Sequence, residues 1–146
     1  MTKNTIALIE PSSSPNSSAT AEETAIYKNL KKFNVSKAGD SNSKPLVLAM
    51  KDEKDEVVAG LIGKTSWEWL FVEALWVHES MRGQDVGTEL LNFAEAEARN
   101  RGCKFAHLDT FEFQALGFYK KRGYEKFGEL ADYPKGYSRY FLRKTF

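Results

Sequence analysis

Between His78 and Thr88 the chain reads His-Glu-Ser-Met-Arg-Gly-Gln-Asp-Val-Gly-Thr, where the apolar run Trp67 to Val77 gives way to a stretch with helical spacing. Successive main-chain N–H groups in such a turn, with the free amides and positive dipole of a helix start, make a site for phosphate oxygens. Arg82 can add a charge-assisted contact from the side, and glycine at 83 and 87 lets main chain approach a ligand with no Cβ in the way. The spacing is neither G-x-G-x-x-G nor G-x-x-x-x-G-K-[ST], so neither a dinucleotide nor ATP is indicated. By itself the segment fits a plain strand-to-helix connection equally well.

Few other side chains stand where chemistry could use them. Glu73 is a charge inside an apolar strand, and burying it bare would be costly, so it must face a cleft, a partner or water. Strand parity puts it on the face of Leu75 and Val77. Glu68 is a weaker rival at the strand entrance. His78 reads as a surface or capping residue beside the turn, and His107 as a core histidine. With Cys103 the lone cysteine, buried and inert, no spacing suggests a metal site or a thiol nucleophile. Trp67, Trp69 and Phe71 share a strand face, and Tyr133 and Tyr137 flank Pro134-Lys135-Gly136; packing is the first reading of both groups, a pocket wall the second. The runs Lys31-Lys32 and Lys120-Lys121-Arg122 read as solvated helix faces.

The elements that would hold these residues follow from periodicity. Thr5 to Glu10 alternates loosely and predicts a first strand, and Pro11 to Ser18 is a linker. Thr20 and Glu23 form a capping box ahead of a helix over 21–34, with Ile26, Leu30 and Phe33 at helical spacing. Asn34 to Lys44 reads as a loop. Leu46 to Met50 and Val57 to Ile62 form an antiparallel hairpin through the charged Lys51 to Glu56, and Trp67 to Val77 is a long central strand. Gly87 to Arg101 places Leu90, Leu91, Ala94 and Ala98 on one helix face, with Gly102 as its cap. Lys104 to Thr110 is a strand, Gln114 to Lys121 a short helix stopped at Gly123, and Tyr124 to Leu130 and Tyr137 to Lys144 are late strands. This order predicts an α+β fold, with a mixed, mostly antiparallel sheet of six or seven strands sandwiched by three or four helices.

Composition sets the frame. One hundred and forty-six residues, 42% hydrophobic and 28% charged, suit one globular domain spanning 1–146. Lys and Arg number 21 against 20 Asp and Glu, a net charge of +1 that leaves no footprint for nucleic acid or an anionic membrane. No run reaches membrane length, and one cysteine permits no intrachain disulfide, so a cytoplasmic protein is expected.

Two segments carry a family resemblance. Leu75-Trp76-Val77 followed by Arg82-Gly83-Gln84-Asp85-Val86-Gly87-Thr88-Glu89-Leu90-Leu91 resembles the acyl-CoA-binding motif, Gln/Arg-x-x-Gly-x-Gly/Ala, of the GNAT superfamily of acetyl-CoA-dependent N-acetyltransferases. Ala115-Leu116-Gly117-Phe118-Tyr119-Lys120-Lys121-Arg122-Gly123-Tyr124 is similar to that family's second signature, Ala-x-x-Phe-Tyr-x-x-x-Gly-Tyr/Phe. Their order and separation match, as does the element order from 5 to 144, as for a small single-domain bacterial-type member. Two positions depart. Asp85 stands where glycine is usual, although Asp tolerates left-handed backbone better than most residues. Glu112 stands where Asn is frequent, with Gln114 beside it to supply an amide.

The resemblance implies direct transfer of the acetyl group of acetyl-CoA to a primary amine of a small molecule, peptide or protein, without a metal. It assigns main-chain contacts to the pantetheine arm to Leu75, Trp76 and Val77, the pyrophosphate to Arg82, Gly83, Gln84, Asp85, Val86, Gly87 and Thr88, and further cofactor contacts to Gln114 and Phe118. Tyr119 matches the acid that protonates the departing thiolate, since a phenol stays protonated at neutral pH; a packing role for it is the alternative. Glu73 becomes the candidate base, acting through water, though a paired or exposed strand carboxylate fits it as well. The family leaves a homodimer open. The competing reading is a non-catalytic acyl-CoA-binding or regulatory module, which Asp85 keeps in play.

Overall fold

The computed structural model describes residues 4–11 and 18–146. The chain divides into two compact units, Met1–Ser41 and Asn42–Phe146.

The first unit holds one helix, α1 (Ala21–Ala38). It begins at the capping box: the Thr20 hydroxyl accepts from the Glu23 N–H at 3.1 Å, and the Glu23 carboxylate accepts from the Thr20 N–H at 2.7 Å. The helix outruns its expected end at Asn34 because no breaker intervenes before Gly39, whose φ of 77° ends it. Thr5 to Glu10, expected as a strand, has no regular structure, and Ile6 and Leu8 lie open. Alternation alone does not make a strand, which exists only in pairing its N–H and C=O groups with another. The expected linker Pro11 to Ser18 lies largely outside the described residues.

The second unit is a six-stranded sheet ordered β1-β2-β3-β4-β6-β5. Its elements are β1 (Lys44–Lys51), β2 (Val57–Ser66), β3 (Trp69–Val77), α2 (Val86–Asn100), β4 (Phe105–Phe111), α3 (Leu116–Lys121), β5 (Glu125–Leu130) and β6 (Arg139–Thr145). All neighbours are antiparallel except β3 and β4, which α2 separates in sequence and which therefore run parallel. The α+β fold class thus holds, with six strands and, among the described residues, three α-helices.

Trp67 and Glu68 do not belong to the central strand. With φ of 44° and 65° they make the two-residue turn between β2 and β3, a left-handed pair that matches strand twist. Trp67 consequently does not share a strand face with Trp69 and Phe71.

Helix α2 is held by its apolar stripe. Leu91, Ala94 and Ala98 are fully buried against Leu46, Leu61, Leu70, Val72 and Leu108 of the sheet. Burial of a leucine such as Leu91 stabilises the fold by about 1.5–3 kcal/mol. The helix ends as expected at Gly102: the Gly102 N–H donates to the Arg99 carbonyl and the Cys103 N–H to the Ala98 carbonyl, both at 2.9 Å. Glu95, buried on the same helix, accepts from Lys144 Nζ at 2.6 Å and from the Tyr124 hydroxyl at 3.2 Å, tying α2 to β6 and to the end of α3.

Two irregularities in β3 open the sheet. Pairing with β4 stops at Val72↔Leu108, beyond which the strands diverge. At the same level Ile62 of β2 opposes Ala74 while Gly63 opposes Val72, so Glu73 is an extra, bulged residue. Gly63 permits this close approach, because a Cβ there would run into the Phe71 carbonyl. The bulge also resets parity. Val72 and Leu75 both pack into the core, whereas Glu73 and Ala74 are both exposed. Glu73 therefore lies opposite Leu75 and Val77, not on their face as uninterrupted alternation requires.

Candidate active site

The junction of β3 and α2 is built from main chain. After Val77 a single 3-10 turn over Glu79–Met81 leads into the bend Arg82–Asp85, with Gly83 at φ 79° and Asp85 in left-handed conformation at φ 61°. Asp85 thus fulfils the backbone role of the usual glycine, and its exposed carboxylate caps nothing. The first bond of the helix runs from the Glu89 N–H to the Asp85 carbonyl. Among the described residues the amides from Gly83 to Thr88 donate to no acceptor, and they gather at the positive end of a 15-residue helix.

Two arginines flank these amides. Arg82 folds back so that its Nε donates to the Val77 carbonyl at 3.3 Å. Arg122, read from sequence as a solvated face, is half-buried here and stacks 3.8 Å from the centroid of Phe118. Its Nε donates to Thr88 Oγ1 at 3.0 Å and its Nη1 to the Phe118 carbonyl at 2.8 Å, while Nη2 also reaches Thr88 Oγ1. A depression of about 380 Å³ joins Arg82, Gly83, Gly87, Thr88, Phe118 and Arg122. Phe118 closes over Gly87, where a Cβ would already stand 3.4 Å from its ring.

The second cavity, of about 260 Å³, occupies the gap where β3 leaves β4. Leu75, Ala115 and Tyr119 line it from the core side, Glu73, Asp109 and Phe111 from the other, so it passes through the sheet. The His78 N–H bonds the Val58 carbonyl, and alternation then turns the main-chain groups of Leu75 and Val77 toward the open edge. The peptide groups of Trp76 turn the other way, toward Gly60 of β2, and its indole is half exposed beside His78.

Tyr119 is buried, and its hydroxyl makes no bond among the described residues. Burial, and secondarily the negative charge of Asp109, pushes its pKa up to about 12. The phenol is therefore a proton donor throughout the neutral range. The turn after α3 fixes its position: the Tyr124 N–H donates to the Tyr119 carbonyl at 3.1 Å, and Tyr124 in turn bonds the buried Glu95.

The remaining candidates separate. Gln114 lines the cleft, but its side-chain oxygen is taken by the Phe111 N–H at 2.9 Å and by Thr110, which leaves only its NH₂ group to offer. Glu112 accepts from the Ser138 N–H at 2.8 Å and secures the loop before β6. His78 caps the 3-10 turn, accepting from the Ser80 N–H at 3.1 Å. His107 stacks on Phe71 at 4.7 Å, and burial lowers its pKa, keeping it neutral at pH 7. Burial raises the pKa of Cys103, an inert thiol. Glu68 pairs with Lys104 at 3.4 Å near the hairpin turn. Tyr133 and Tyr137 join Phe111 and Phe113 in an aromatic cluster beside the cleft.

Sequence reading passed over Asp109 and Arg139, which pair in the cleft wall through contacts of 2.9 and 2.6 Å to one carboxylate oxygen. They lie thirty positions apart, on strands whose adjacency no local pattern announces. For Arg122 the family resemblance implies an approach of the run Lys120-Lys121-Arg122 to the ribose phosphate of CoA, and the structure sets its guanidinium on Thr88 and Phe118. Among the described residues no cluster of His, Cys, Asp and Glu could hold a metal ion, and no helix is long and apolar enough to cross a membrane.

Known proteins share this architecture. Residues 7–124 match the Acetyltransferase (GNAT) family. Acetyltransferase Atu2258 of Agrobacterium fabrum is 39% identical over 124 residues, covering 85% of this chain and 90% of that one. Blasticidin-S acetyltransferase of Streptomyces morookaense is 41% identical over 93 residues, covering 63% and 68%. A crystal structure from Agrobacterium tumefaciens superposes with a TM-score of 0.84 at 36% identity, over 97% of this chain and 100% of that one. That of an acetyltransferase from Bacillus cereus gives 0.79 at 34% identity, over 89% and 96%. With the family match spanning the bend at 82–88 and the Tyr119 helix alike, the chain belongs to the GNAT family and is an acyltransferase enzyme.

Proposed function

We propose that the enzyme takes its acetyl group from acetyl-CoA and transfers it directly to the primary amine of a small molecule. The observation that carries this reading is the row of partnerless amides from Gly83 to Thr88, set between Arg82 and Arg122. Such donors suit a diphosphate, whose oxygens accept from main-chain N–H groups and from guanidinium. From there the open edge of β3 offers the peptide groups of Leu75 and Val77 to the amides of a pantetheine arm, and Phe118 covers the arm's start. The arm ends in the gap at Tyr119.

In the transfer the amine nitrogen attacks the thioester carbonyl, a C–N bond forms and the C–S bond breaks. Tyr119 gives its proton to the departing sulfur, and Glu73, through water, removes the proton that the amine must lose. Crossing the sheet, the gap allows the two substrates to enter from opposite faces, which favours direct attack over an acyl-enzyme. A small-molecule acceptor is supported by the likeness to an acetyltransferase named for blasticidin-S.

The test is free-thiol release from acetyl-CoA across a panel of primary amines, with calorimetric titration of CoA alongside. Amine-dependent release and saturable CoA binding are expected. CoA bound without turnover of any amine would reduce the protein to a binding module, and no CoA binding would remove the proposal altogether.

A further inference from the structure

The acceptor side of the cleft carries its own chemistry, and its reading rests on the transfer proposed above. Of the ten residues lining the cleft only two are charged, and both are acids, Glu73 and Asp109. An unreacted primary amine is a cation at neutral pH, so this lining attracts it. The two carboxylates are not equivalent. Glu73 is exposed and, among the described residues, has no bonded partner, so it is open to water and to a substrate. Asp109 is about one-fifth exposed and is held by Arg139, whose two bonds both go to Oδ1, while Oδ2 has no partner among the described residues. Arg139 is fixed in turn, its guanidinium lying 5.3 Å from the ring centroid of Phe111 and 4.8 Å from that of Tyr133.

Those rings form a stack. Phe111 and Phe113 lie 5.3 Å apart with planes 4° from parallel, and Phe111 and Tyr133 6.0 Å apart at 22°. Phe111 lines the cleft, while Phe113 and Tyr133 are about half exposed. Aromatic surface left open beside a cleft, with its rings already parallel, is suited to receive another flat ring.

We propose that Asp109, through Oδ2, anchors the acceptor's ammonium group, and that the acceptor carries a planar aromatic or heteroaromatic ring that stacks on the half-exposed ring of Tyr133, the end of the stack that Phe111 begins at the cleft. Arg139 is the positioning residue that holds the anchor. Glu73 remains the group that accepts the proton, so binding and deprotonation fall to different carboxylates.

The test pairs primary alkylamines of equal length with and without a terminal aromatic ring, assayed by thiol release with the full chain. Wild-type enzyme is expected to show a KM at least tenfold lower for the ring-bearing member. Asp109→Asn should raise that KM at least tenfold with kcat within about threefold and CoA affinity unchanged by calorimetry. Should Asp109→Asn fail to fold, Tyr133→Ala, which alters a half-exposed ring, carries the test by narrowing the preference to below threefold. Equal KM values for the paired amines, or an unaltered amine KM in folded Asp109→Asn, would overturn the assignment. Turnover of ring-free amines alone would do the same while sparing the transfer reaction. Absence of CoA binding in the wild type would instead take down both.

Discussion

The two ends of the active-site cleft are made from different material. At the proposed cofactor end the groups on offer are main-chain amides, and side chains serve to shape the bend: Gly83 and Asp85 adopt left-handed backbone and Gly87 leaves room for Phe118. At the proposed acceptor end they are side chains of β3, β4 and β6, brought together by a bulge and by a strand pairing. A site of the first kind is written in about seven consecutive residues. One of the second kind exists only after the sheet has formed.

That contrast can be pressed with substitutions. The largest loss is expected where the ends meet. Tyr119→Phe removes the proposed acid while keeping the ring, and should lower kcat by about 10²-fold with CoA affinity intact, in line with general-acid contributions. A KM effect alone, measured by initial rates, would assign Tyr119 to packing. Next comes Gly63→Ala, which touches neither substrate. Its Cβ meets the Phe71 carbonyl, so the bulge must shift, at a cost of about 1–3 kcal/mol in stability. Small displacements of reacting groups are expensive, and kcat/KM should fall at least about tenfold. Urea melts beside the kinetics would show whether the acceptor end depends on the bulge.

Changes at the cofactor end should be smaller, since no single side chain supplies its donors. Arg122→Ala removes a half-buried guanidinium from the rim of the amide row, and CoA should bind about tenfold more weakly by calorimetry, as for one charge-assisted hydrogen bond. An unchanged affinity would confine Arg122 to holding Thr88 and Phe118 in place. The smallest effect, of opposite sign, is expected from Asp85→Gly. It keeps the left-handed backbone and removes a negative charge from the helix start, so CoA should bind a few-fold more tightly. Weaker or unchanged binding would reject repulsion by the Asp85 carboxylate.

Alkaline pH probes the meeting point without mutation. Tyr119 has a pKa of about 12 in the folded chain against ~10 when unfolded. Because the folded value is the higher, its contribution to stability is complete below pH 10 and is lost as pH rises toward 12. Stability from urea melts should fall over that window more steeply in the wild type than in Tyr119→Phe, while kcat shows no alkaline limb from this group below pH 10. Burial and the neighbouring Glu95 raise Tyr124 in the same direction, so some slope remains in the variant.

Sequence alone determined what depends on neighbours along the chain. The capping box at Thr20, the apolar stripe of α2, its end at Gly102, and the glycine-bearing bend at 82–88 were all legible, because helix caps and bends are satisfied by residues within a turn or two. Only the tertiary structure decided what depends on distant partners. Thr5 to Glu10 alternates like a strand yet takes no regular structure, and Trp67-Glu68 leaves the apolar run to turn the chain. Glu73 changes face because Gly63, on another strand, admits a bulge. Asp109 meets Arg139 because β4 and β6 pair, and Arg122 reaches Thr88 across thirty-four positions. Strand register and cross-strand charge pairs are set by contacts that cost loop-closure entropy before they return any energy, so no short window of residues encodes them.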